Sequence, residues 1–146
     1  MRATYRVLAL LIAVGVVIQA MFIAIALFQI VHDTDNGGVF DKNTENWAQG
    51  AHALTGYIII PLLALVLLIL SFFARIPGGA KWAGIVFGLV VLQTLLAGLG
   101  MAAPVAGALH GINAFALAGV ASVAARKARQ AETAVSAAPA ETSTTA

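Results

Sequence analysis

The sequence predicts an all-α integral membrane protein, a four-helix bundle built as two helical hairpins in a parallel pseudo-repeat. Composition, hydropathy and the placement of basic residues predict it. Of 146 residues, 61% are hydrophobic and only 10% are charged, and the mean hydropathy is +0.96. A water-soluble domain of this length needs far more polar surface to cover its core. The chain has no cysteine, which excludes disulfides, iron–sulfur clusters and thiolate chemistry.

A helix needs about 20 mostly apolar residues to cross a hydrocarbon layer. Four stretches meet that requirement: Val7–Val31, Trp47–Ala74, Lys81–Ala102 and Val105–Ala125. The first resembles a signal peptide at its start, with Arg2 and Arg6 before an apolar run. Its length exceeds a signal h-region, so a retained helix is expected. The connections are a polar loop, His32–Asn46, a short link, Arg75–Ala80, and a turn around Pro104. From Arg126 onward Ala, Thr, Ser and Glu predominate, and residues 126–146 are expected to form a disordered cytoplasmic tail, leaving 1–125 as the bundle.

The bases give an orientation. Arg2, Arg6, Arg75, Lys81, Arg126, Lys127 and Arg129 fall on one side of a four-span arrangement, and Lys42 alone on the other. The positive-inside rule then puts both termini in the cytoplasm. The loop with Asp33, Asp35, Asp41 and Glu45 faces outward. A multi-pass protein of the bacterial plasma membrane is expected. The pI near 9.4 is explained by these helix-end bases, so no nucleic-acid partner is expected.

Polar residues inside a bilayer cost free energy and often mark function. Four stand out within the spans, Gln19, His52, Gln93 and His110, one on each helix in turn. His52 lies five residues after Trp47 and His110 six after Pro104. At about 1.5 Å per residue, both imidazoles lie roughly 8–9 Å below the outer ends of their helices. Two histidines at matched depth on alternate helices can face each other across the bundle.

The i±3 and i±4 neighbours of His52 are Ala48, Gln49, Thr55 and Gly56, and those of His110 are Ala106, Gly107, Asn113 and Ala114. Small residues let helices approach, as in the spacings Gly107-x-x-x-Gly111 and Gly84-x-x-x-Gly88. They also clear room for a flat macrocycle between two axial imidazoles. The Gln–His alternation suggests duplication. Gln19 precedes His52 by 33 positions and Gln93 precedes His110 by 17, a difference close to the length of the polar loop. Two such hairpins would be related by an axis along the membrane normal.

The run Gln93-Thr-Leu-Leu-Ala-Gly-Leu-Gly100, followed by Pro104 and by Leu109-His110-Gly-Ile-Asn-Ala114, resembles one half of the heme A synthase family. The resemblance covers all four helices in architecture and rests in residues on the third and fourth. It implies a haem pocket of paired histidines on the second and fourth helices, with His52 and His110 as axial ligands. The family's catalytic half has a glutamate three residues before its second-helix histidine and an arginine just after. Here those positions are Gln49 and Ala53. The outer cysteine pair of many members and the second half are absent, so the resemblance carries the pocket and not the hydroxylation.

The expected function is a small membrane protein binding haem b through His52 and His110, with Gln19, Gln93, Gly56, Gly107 and Ala114 around the cofactor. Electron transfer or haem handling, with a membrane redox partner or a quinone, is expected in place of independent catalysis. Two imidazoles leave the iron no open position. The alternative is a non-haem bundle, a small transporter or an assembly subunit, in which both histidines and both glutamines bridge helices. The spans hold no Asp or Glu to couple transport. His32 with Asp33 and Asp35 is read as solvated loop, Trp47 and Trp82 as interfacial anchors, and Pro61 as a kink in the second helix.

Overall fold

The computed structural model describes residues 1–136. Four helices in it are long and apolar enough to cross a membrane: α1 (Arg2–Asp35), α2 (Trp47–Ser71), α3 (Gly79–Ala102) and α4 (Pro104–Ser136). There is no strand among the described residues. The integral membrane four-helix bundle expected from hydropathy is the observed fold.

The helix ends differ from the expected spans in two places. α1 continues through His32 and Asp33 to Asp35, so the polar connection is shorter than expected. Gly37, at φ +85°, turns the chain out of α1 in a conformation that costs glycine little. α4 runs on to Ser136, so the disordered tail expected from Arg126 is helical over its first half. Alanine has the highest helix propensity, and Ala124, Ala125 and Ala128 are buried. Glu132 on this extension also pairs with Arg6 of α1 at 2.8 Å. The part of the expected tail from 137 to 146 lies outside the described residues.

The loop end of the bundle carries the α1–α2 loop and the α3–α4 turn, and the terminus end carries residue 1 and the α2–α3 turn. Around the bundle α1 packs on α4, α4 on α3, and α3 on the second part of α2, Ile60–Ser71. Both parts of α2 pack on α1. The two hairpins are α1–α2 and α3–α4, and α2 stands diagonal to α4.

α2 is interrupted where Pro61 was expected to kink it. Residues Thr55–Ile59 form a π turn, in which the Ile60 N–H donates to the Thr55 carbonyl. Proline has no N–H to give and its ring crowds the preceding turn, and a one-residue widening relieves both. At the start of α2, Asn46 caps the helix by accepting from the N–H groups of Ala48 and Gln49. Its own amide donates to the Ala26 carbonyl at 3.2 Å, tying this end of α2 to α1.

The packed core fills only part of the bundle. On α1 the buried positions Tyr5, Ala9, Ile12, Val16 and Gln19 recur every three or four residues, one stripe of a helix. On α4 the matching stripe is Asn113, Leu117, Ala121, Ala124 and Ala128. Ala64 and Leu67 of α2 and Ala83, Val86 and Val90 of α3 complete it. Its many alanines bring the helices close, which is how bundles pack where lipid removes the hydrophobic drive between helices. The stripes end at Gln19 and Asn113. Beyond them towards the loop end, Ala26 and Ala48 are the buried side chains.

Candidate functional site at the boundary of the core

The two intramembrane histidines meet at this boundary. The ring centroids of His52 and His110 lie 6.3 Å apart, with the planes tilted by 56°. Each ring is held from the neighbouring helix of its own hairpin. His52 Nδ1 lies 3.0 Å from the Gln19 carbonyl oxygen, and His110 Nδ1 lies 3.1 Å from the Gln93 carbonyl oxygen.

A carbonyl oxygen can only accept, so in each neutral ring Nδ1 carries the proton and donates. That fixes the tautomer with the lone pair on Nε2. The same device orients metal-binding histidines elsewhere: one nitrogen donates to a carbonyl, and the other is presented to the metal.

Each glutamine also holds its histidine through its side chain. Gln19 Nε2 donates to the His52 carbonyl at 3.1 Å, and Gln93 Nε2 to the His110 carbonyl at 3.0 Å. Ring and backbone of each histidine are thus gripped by one glutamine. The Gln–His alternation of the sequence appears as a repeated clamp, Gln19 with His52 and Gln93 with His110.

One further residue joins each clamp at the position three after the histidine. Thr55 Oγ1 accepts from Gln19 Nε2 and donates to the Ala51 carbonyl at 2.6 Å. Asn113 Nδ2 donates to Gln93 Oε1 and to the Leu89 carbonyl at 3.0 Å. The sequence placed Thr55 and Asn113 on the histidine faces without giving them a role. Their i+3 spacing was the available signal. The two clamps differ in one atom: Gln93 Oε1 is satisfied by Asn113, whereas Gln19 Oε1 is buried with no partner among the described residues.

The glycines differ in what surrounds them. A methyl at Gly56 would lie 3.3 Å from Gln19 Nε2. Its smallness therefore admits the glutamine clamp. A methyl at Gly100 would lie 3.1 Å from the Gly107 Cα, which makes Gly100 and Gly107 the close approach of α3 and α4. A methyl on Gly84, Gly88 or Gly111 meets nothing within 4 Å, so these three do not form the expected helix contacts. Ala114, one turn below His110, packs against the core.

The α1–α2 loop supplies no second cluster of metal-ligating side chains among the described residues. His32 is exposed at the end of α1, and its carbonyl accepts from Asn36 Nδ2 at 2.8 Å. Among the described residues no group of three or more His, Cys, Asp or Glu could hold a metal ion. Trp47 stacks edge-on against Phe22 at 6.3 Å. It remains largely exposed, as suits a ring at a membrane boundary.

Residues 37–103 are similar to a family described as a family of unknown function, DUF6220. The matched stretch takes in α2 and α3, so it holds His52 and Gln93 and stops before His110. No curated protein and no solved structure matches the chain.

Two neutral imidazoles are too few ligands for a bare structural metal ion, which takes about four from the protein. They suit a metal whose remaining ligands arrive with it, as the four nitrogens of a tetrapyrrole do. The spacing also agrees. Metal–imidazole bonds of about 2.0 Å, with about 1.2 Å from each nitrogen to its ring centre, put two centroids about 6–6.5 Å apart across one ion. The scarcity of buried side chains towards the loop end leaves that part of the bundle without a protein core.

Proposed function

We propose that this chain is a small b-type cytochrome-like membrane protein that holds one haem between His52 and His110. The observation that carries the reading is the 6.3 Å separation of two imidazoles, each fixed by its Nδ1 so that Nε2 is free to bind. The resemblance of the third and fourth helices to the heme A synthase family supports the same pair of ligands.

A haem so ligated supplies a one-electron couple at the iron. The protein's part is to fix both imidazoles before the cofactor arrives, so little reorganisation accompanies binding or a change of charge. The carbonyls of Gln19 and Gln93 accept from the ligand rings, which raises their basicity. With His52 and His110 both holding it, a haem here would be suited to electron transfer over oxygen activation. The test is the reduced-minus-oxidised visible spectrum of detergent-purified protein from haem-replete cells. A low-spin b-type spectrum is expected. Colourless protein would leave the histidines as interhelical bridges in a non-haem bundle, since the same bonds can serve that purpose.

The surplus of bases at the terminus end supports a cytoplasmic location for both termini, and a bacterial plasma membrane is the proposed setting. A reporter fused to the C-terminus should read cytoplasmic, and one inserted near Asn43 extracytoplasmic. The opposite pattern would put the histidine layer nearer the cytoplasmic leaflet.

A further inference from the structure

A cleft of about 920 Å³ opens at the terminus end, between the start of α1 and the α2–α3 turn, with Arg2, Phe72, Phe73, Arg75 and Glu132 among its walls. Its charge is uneven. Glu132 is paired through Oε2 with Arg6 at 2.8 Å, the only ion pair among the described residues, and its Oε1 is buried without a hydrogen-bond partner. Arg2 and Arg75 therefore contribute two positive charges with no acidic partner there.

The Arg2 guanidinium is also under-bonded. Its Nη2 donates to the Arg75 carbonyl at 3.3 Å, and its Nε is buried without an acceptor. A guanidinium presents five donors in a fixed fork suited to phosphate oxygens. Arg75 occupies the left-handed region at φ 51°, which a side-chain-bearing residue adopts at a cost. The buried Ala74 and Ile76 on either side anchor that turn in the core.

Beside these two arginines stand two bare aromatic rings. Phe72 is 70% and Phe73 is 60% exposed, directly after the last turn of the apolar α2. Such rings belong in acyl chains, and the arginines next to them belong at the headgroup level.

We propose that this cleft binds the headgroup of an anionic phospholipid, with Arg2 and Arg75 on the phosphate and Phe72 and Phe73 against the acyl chains. The inference is independent of haem. A free phosphate ion offers the same oxygens but nothing for the rings, and so the lipid is the occupant the site fits.

The test is native mass spectrometry of the full chain in detergent, titrated with phosphatidylglycerol, phosphatidylcholine or inorganic phosphate. Retained phosphatidylglycerol adducts are expected in preference to phosphatidylcholine. The Arg2→Ala/Arg75→Gly double variant should weaken them by about tenfold or more. Glycine at 75 keeps the turn unstrained, so an unchanged circular dichroism spectrum will separate lost binding from lost fold. Lys127→Ala/Arg129→Ala removes the same charge outside the cleft and should retain the adducts. Equal loss in this control, equal retention of both lipids, or binding of inorganic phosphate with no preference for phosphatidylglycerol would each overturn the proposal.

Discussion

His52→Ala and His110→Ala should each lose the low-spin spectrum of the purified protein, and His32→Ala should keep it. Removing one imidazole deletes a coordination bond and leaves iron five-coordinate, a change of spin state visible before any loss of cofactor. It also strips the Gln19 or Gln93 carbonyl of its side-chain donor, so the clamp on that hairpin loosens. The double variant has no axial protein ligand and should purify without haem. His32 shares neither depth nor clamp, since it sits exposed at the end of α1 beside Asn36. Added imidazole should restore a low-spin spectrum to either single variant, which distinguishes a missing ligand from a misfolded bundle. If both single variants keep the wild-type spectrum, the histidines are not the ligands.

The second large effect is steric. Gly56→Leu and Gly100→Leu should lower thermal stability in detergent by about 1–3 kcal/mol each, the usual cost of forcing extra volume into a packed contact. Gly84→Leu should be close to neutral. A side chain at 56 drives into the Gln19 amide, and one at 100 meets the backbone of Gly107, which cannot rotate away. At 84 there is open space. Gly56→Leu should also reduce haem retention more than Gly100→Leu, because it displaces the glutamine that holds His52. Equal destabilisation by all three would mean that general packing, not these local contacts, sets the cost, since leucine is the better helix former.

Much of this arrangement was legible because it depends on long-wavelength features of the sequence. Apolar runs of membrane length give the four helices, and counting from the helix ends puts His52 and His110 in one layer. The Gln–His alternation anticipates the two clamps. What escaped depends on which face a residue presents. The spacing Gly84-x-x-x-Gly88 looks like a packing motif, but only the rotation of α3 decides that it faces outward. Thr55 and Asn113 share the histidine faces, yet their partners are set by where the Gln19 and Gln93 amides reach. Pro61 announces a break without saying that the helix widens ahead of it. The extension of α4 was masked by its charged and small residues, which read as solvent-exposed coil. Its burial of Ala128 and its contact with Arg6 are tertiary facts.

The repeated clamp also bears on assembly. Each hairpin contributes one glutamine, one histidine and one polar residue three positions on, so the site is a pseudo-two-fold arrangement. A symmetric dimer of the α3–α4 hairpin alone would set two His110 rings across its axis, each already oriented by its own Gln93. The fused chain gains the freedom that such a dimer lacks. Its halves can differ, and they do so at Thr55 against Asn113 and at the π turn, which among the described residues lies in the α1–α2 hairpin alone. A single chain can therefore give the two histidines of one layer unlike surroundings.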